Sequence, residues 1–129
     1  MKKFISVMLV AAMAVTALTG CGSNSGSSSK KDADKYYIGG IGPTTGATAI
    51  YGTAVKNGAQ IAVDEINAAG GINGKQIEYR FEDDQNDAEK SVNAYNTLKD
   101  WGMQMLVGPV TTGAAIAVAA ETYNDRVFA

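Results

Sequence analysis

Ile77, Tyr79 and Phe81 alternate with Glu78, Arg80 and Glu82, the period of two that a strand shows when one face is buried and the other is wet. Upstream the period changes. Tyr51, Val55, Ala59, Ala62 and Ile66 recur at three- and four-residue spacing, which predicts a helix with one buried stripe, ended by Gly70-Gly71. Asn73-Gly74 supplies a tight-turn signal between helix and strand. Before that helix, Tyr36 to Gly42 (YYIGGIG) is a short, unbroken apolar run that reads as a fully buried strand. Ala88, Val92, Tyr95, Leu98 and Trp101 give a second helical stripe, closed by Gly102. Asn86 with Glu89 three residues on resembles a capping box at its start, with Asn in place of Ser or Thr. Met103 to Gly108 (MQMLVG) predicts a third strand. Thr111-Thr112-Gly113 opens a third helix, Ala114 to Tyr123, and Val127 to Ala129 begin a fourth strand. The order β-α-β-α-β-α-β predicts an α/β fold, a doubly wound parallel sheet with right-handed crossovers. With its fourth strand barely begun, the sequence reads as the N-terminal fragment of something longer.

The first 35 residues follow none of these periods. Lys2 and Lys3 precede a fifteen-residue apolar run, Phe4 to Leu18, and the small residues Thr19-Gly20. That is the layout of an export signal, and it is shorter than the roughly 20 apolar residues a spanning helix needs. The string LTGC resembles the bacterial lipobox, which implies cleavage before Cys21 and a diacylglycerol on its sulfur. Two or more acyl chains hold a protein stably where one does so marginally. Residues 1–20 are therefore expected to be a lipoprotein signal peptide, and residues 21–35 a lipidated cysteine followed by a Ser/Gly tether with about 20 Å of slack. Residues 36–129 are expected to be a partial lobe, held at the extracytoplasmic face of a membrane.

Composition narrows the chemistry. Eleven basic side chains stand against thirteen acidic ones; losing Lys2 and Lys3 with the signal leaves nine, for a mature charge of about minus four. Beyond Lys30-Lys31 no basic run exists, so nucleic acid is not an expected partner. Histidine is absent, which removes Ser-His-Asp and Cys-His sites and the usual zinc sets. Lipid on Cys21, the only cysteine, would remove thiol chemistry as well. The reading moves from catalysis to binding, with no cofactor and no metal.

Ligands of open α/β sheets bind beyond the carboxyl ends of the strands. Three segments gather there: Gly42–Tyr51, Glu82–Asp87 and Gly108–Ala114. In GPVTTGAA (Gly108–Ala115), the hydroxyl of Thr112 and the amides around Gly113 stand at a helix start, which suits a carboxylate. Capping of the helix by Thr111 or Thr112 explains the same residues, and the sequence leaves both open. Tyr51 is equally two-sided, as a ring closing over a ligand or as core beside Val55. The run GGIGPTTG invites a dinucleotide reading, but Pro43 lacks an N–H, and the nearest strand-end acids, Glu82 and Asp83, lie nearly twice as far on as the usual spacing of about 20 residues. Glu82, Asp83, Asp84 and Asp87 could in number hold a hard cation. Their spacing matches no EF-hand loop, and a solvated loop complementing a helix start is the preferred reading.

Taken together, IGPTTGATAIYG (Ile41–Gly52), VKNGAQIAVDEINAAGGINGKQIE (Val55–Glu78), EDDQND (Glu82–Asp87) and LVGPVTTGAA (Leu106–Ala115) resemble the branched-chain amino acid type of periplasmic binding protein. That family supplies the solute-binding component of ABC importers. The resemblance implies a type I periplasmic-binding-protein lobe of a hinged, two-lobed receptor that is not an enzyme. It implies a hydroxyl at Thr112, with Thr111 and Gly113 as backbone contributors, holding a ligand's α-carboxylate, and Tyr51 lining the side-chain pocket. The implied partners are an amino acid or related carboxylate and the permease subunits of the importer. Some members join the loops after strands two and three by a disulfide; here those positions read Gln85-Asn86 and Val110-Thr111. A further hydroxyl segment and the groups for the α-amino end lie, in the family, beyond the residues present. Two other readings stay beside this one: a sensor lobe that closes on ligand without transport, and an exported α/β enzyme using the carboxylates around Asp83.

Overall fold

The structure is a computed structural model that describes residues 34–129. The export signal, Cys21 and the Ser/Gly tether lie outside the described residues.

Strand β1 (Lys35–Gly42) occupies the centre of a three-stranded parallel sheet. It starts one residue earlier than the sequence suggests. Strand β2 (Gln76–Asp83) lies on one side, in register from Lys35–Gln76 to Gly42–Asp83. Strand β3 (Met105–Val107) lies on the other, pairing Ile38 with Met105 and Gly40 with Val107. The order β2-β1-β3 is the doubly wound arrangement expected.

Strand β3 is shorter than the predicted Met103–Gly108, and the cause lies in the helix before it. Helix α2 (Ala88–Trp101) ends at Gly102 with φ 100°, and the amides of Gly102 and Met103 both return to the carbonyl of Leu98. With its N–H spent on that closure, Met103 cannot join the ladder, and its side chain turns into the core instead. The predicted fourth strand is a single parallel bridge between Met105 and Phe128.

Helix α1 (Ala49–Ala68) lies against β1 and β2, and helix α3 (Thr112–Asp125) lies against α2. The main core joins Ile41, Ala94, Tyr95, Leu98, Met103, Leu106 and Val118, with Trp101 and Val127 at its margin. Tyr37 meets Trp101 edge to face, ring centroids 5.2 Å apart.

The stripe of α1 is rotated from the predicted one. Gly52 and Val63 are the buried positions, Val55, Ala59 and Asn67 are half-buried, and Tyr51 and Ala62 are exposed. Two contacts set this rotation. A Cβ on Gly52 would stand 1.9 Å from the carbonyl oxygen of Pro43, so only glycine allows the helix so close to that loop. At the other end Asn67 receives the Ile77 amide at 2.7 Å and donates to the Ile77 carbonyl at 2.8 Å, pinning the helix to the first turn of β2.

Candidate functional site

β1, β2 and β3 run in the same direction, so the loops that leave them meet along one edge. Two sets of bonds lace these loops together. From β3, the amide of Val110 donates to the Ile41 carbonyl at 3.1 Å. Gly108 adopts φ +105°, and a Cβ there would press to 2.6 Å from the same carbonyl oxygen. From β2, Asp83 accepts the Thr44 amide at 2.8 Å, the Thr45 hydroxyl and the Gln85 amide at 3.0 Å. Partial burial pushes the Asp83 carboxyl up, but the Thr45 hydroxyl and the amides of Thr44, Gln85 and Thr45 outweigh it and hold its pKa below the ordinary range.

The rest of the acidic cluster is accounted for residue by residue, beginning with Glu82, which accepts from Arg80 Nε at 2.7 Å. Asp84 is fully buried, accepting from the Asn86 amide at 2.9 Å and from the Ser91 hydroxyl at 3.2 Å. Asp87 caps α2 by accepting the Lys90 amide at 2.9 Å. The capping residue is one position later than the predicted Asn86, which instead takes a left-handed turn at φ 60°. Asp83 and Asp84 are thus more than solvated charge; they fasten loops. Among the described residues no group of three or more Cys, Asp or Glu side chains is placed to hold a metal ion.

The three helix starts differ in a way that composition alone does not show. α2 has its Asp87 cap and Glu89 in its first turn. α1, beginning after Thr48, and α3, beginning after Thr111, have neither a side-chain cap nor an acidic residue in the first turn. At α1 the backbone meets part of the need, the Ala49 amide donating to the Gly46 carbonyl at 3.3 Å and the Tyr51 amide to the Thr48 carbonyl at 3.1 Å; each helix still carries roughly half a positive charge at that end. Since β1 and β3 are neighbours in the sheet, these two acid-free ends open onto the same edge.

The four residues singled out for ligand contact all lie there. Tyr51 projects from the first turn of α1 and is 63% exposed, which excludes the core-packing reading of its ring. Thr112 and Gly113 form the exposed first turn of α3. Thr111 is its N-cap by backbone position, yet its hydroxyl oxygen is buried with no hydrogen-bond partner. Self-capping, the plain explanation of the two threonines, is therefore not what the Thr111 hydroxyl does. What sequence reading missed is Asp83 as the fastener of the α1 loop; its signal was the pairing of a strand-end acid with hydroxyls 38 residues upstream, which no local pattern reveals.

A family model described as "Periplasmic binding protein" matches residues 35–128. The chain belongs to the periplasmic binding protein family. The Leu/Ile/Val-binding protein BraC3 of Rhizobium johnstonii is 49% identical over 91 residues, which cover 70% of this chain and 25% of that protein. A leucine-, isoleucine-, valine-, threonine- and alanine-binding protein of Pseudomonas aeruginosa is 36% identical over 94 residues, 73% of this chain and 25% of its own length. Among solved structures, the branched-chain amino acid transporter substrate binding protein LivJ of Streptococcus pneumoniae, in complex with isoleucine, is 40% identical with a TM-score of 0.69. The match covers 72% of this chain and 27% of that one. A type 1 periplasmic binding protein from Bordetella pertussis is 30% identical with a TM-score of 0.68, over 73% and 26% of the two chains. The fold is that of a type I periplasmic binding protein, in part. This chain spans about a quarter of the length of the family members it matches.

Proposed function

We propose that this chain supplies first-lobe ligand contacts to the solute-binding protein of an ABC importer, one that takes a branched-chain or related amino acid by its carboxylate outside the cell. The observation that carries the reading is the pair of uncapped, acid-free helix starts on one edge of the sheet. A carboxylate seated there would accept from the Thr112 hydroxyl and the amides around Thr111 and Gly113, bonds that ionisation of the ligand strengthens. Tyr51, exposed on the neighbouring helix, would cover the apolar side chain. Capture of this kind makes and breaks no covalent bond, so the protein acts by binding and release. The relatives named for leucine, isoleucine and valine support that ligand class, and the transporter named for LivJ supports permease subunits as partners. Cys21 would carry the lipid that keeps the receptor beside its permease.

Isoleucine binding to the full-length protein, measured by calorimetry, is the test. Thr112→Ala should weaken it by roughly 1.5–3 kcal/mol, the span for a hydrogen bond to a charged group. Unchanged affinity would remove Thr112 from the site. No heat from any branched-chain amino acid with the parent protein would remove the ligand class.

A further inference from the structure

The chain holds two Asn-Gly pairs, Asn57-Gly58 and Asn73-Gly74, and the fold treats them oppositely. We propose that Asn73 is a site of spontaneous deamidation in the folded protein and that Asn57 is protected. In this reaction the main-chain nitrogen of the glycine attacks Cγ of the asparagine. A C–N bond forms, the bond from Cγ to Nδ2 breaks, and ammonia leaves with the proton the glycine amide gives up. Solvent water then opens the five-membered imide at either carbonyl, giving aspartate or isoaspartate. No oxidant or reductant enters.

Two conditions decide the rate: the glycine N–H must be free to lose its proton, and the asparagine backbone must rotate until Cγ reaches that nitrogen. Asn57 meets neither. It sits in the middle of the 20-residue α1, where the helical ladder holds the next amide to a carbonyl one turn back and fixes the backbone. Reaching the reactive shape requires opening the helix that Asn67 pins to β2 and Gly52 seats against the Pro43 loop.

Asn73 sits in a two-residue turn between Ile72 and Lys75. The turn is closed by two bonds, Ile72 amide to Lys75 carbonyl at 2.8 Å and Lys75 amide to Ile72 carbonyl at 3.0 Å. Those bonds leave the Gly74 amide out. Asn73 and Gly74 are both exposed, and both have positive φ, 52° and 80°. No packed side chain opposes rotation of a turn that reopens by local fluctuation. The product carries one more negative charge than the parent, whose formal charge is −2. Isoaspartate also lengthens the main chain by one methylene, directly ahead of the Asn67–Ile77 bonds that seat β2.

The experiment ages the whole chain at mildly alkaline pH, folded and, in parallel, unfolded in guanidinium. Cleavage after Glu65 separates the two pairs, and mass spectrometry with an isoaspartate-specific methyltransferase reads each peptide. In denaturant the two pairs should react at similar rates. In the folded chain Asn73 should react at least about tenfold faster than Asn57, the ratio set by the difference between a local and a wider opening. Asn73→Gly, which keeps a turn of the same hand, should abolish the new acidic species. Equal rates in the folded chain, or faster loss at Asn57, would overturn the assignment.

Discussion

Tyr79 and Thr111 each keep a buried hydroxyl oxygen without a partner, and the same expectation for stability follows at both. The Tyr79 phenol stands close to Gly40 on the central strand, where a Cβ would meet it at 2.6 Å. Removing a buried polar group that makes no bond relieves a desolvation cost of about 1–3 kcal/mol, so Tyr79→Phe should raise the urea midpoint; a clear loss of stability would reveal a partner for the hydroxyl. The Thr111 oxygen lies where the loop after β3 meets α3. Thr111→Val removes an equally unpaired hydroxyl and should raise the midpoint too, while isoleucine binding in the full-length protein stays near the parent's, because the contact proposed for Thr111 is its main-chain amide. A residue list read from sequence finds Thr111 readily, because TTG before an apolar run is a helix-start signal. It cannot find Tyr79, because alternation in β2 marks its position as inward and says nothing of what its oxygen meets.

At the scale of elements, type and order are legible from β1 to α3, and errors fall where a contact with a neighbouring segment decides. The α1 stripe was misplaced because Gly52 and Asn67, one without a side chain and the other polar, face inward, while a hydrophobic count rewards Tyr51, Ala62 and Ile66. β3 was overlong because Met103 and Gln104 are apolar or neutral enough to pass for strand, while the N–H of Met103 belongs to the end of α2. The loop fastener Asp83 gives this scale its own test. Its pKa lies below the ordinary 3.8, because burial, which raises it, is outweighed by the Thr45 hydroxyl and the amides of Thr44, Gln85 and Thr45 from two loops. A carboxyl depressed in the folded state stabilises above its unfolded pKa, and the contribution drains as pH falls from about 4 through the lower folded value. Thermal melts of the parent and Asp83→Asn should therefore differ at neutral pH and converge in acid. A gap that does not change with pH would show that the charge of Asp83 contributes nothing.

Across the whole molecule the alkaline limit has two sources on β2 and α2. Burial pushes the Tyr79 phenol up to about 12. Tyr95 also rises to about 12, through burial first and then its hydrogen bond to Asp125 at 3.0 Å, the carboxylate that Lys99 also holds. A phenol raised in the folded state favours folding fully below its unfolded value near 10, and that help is lost as pH climbs towards 12. Of the six tyrosines, phenolate absorbance should show two lagging until about 12, with loss of near-ultraviolet circular dichroism accompanying them. A single wave near 10 with the fold intact would refute it. The fold was readable at this scale because three βα units repeat one pattern. The shared acid-free character of α1 and α3 was not, since it emerges only when the sheet makes their starts neighbours.

β1 enters the sheet at Lys35 and leaves at Gly42, and eight residues at roughly 3.3 Å each carry the chain about 26 Å from the far rim to the edge where the three loops meet. The main chain therefore arrives at the end opposite Thr112 and Tyr51. A bead or sensor chip coupled through a short link ahead of Lys35 would join the lobe at the rim opposite those two residues. Coupling through the Tyr51 or Thr112 turns would instead occupy the edge on which they lie.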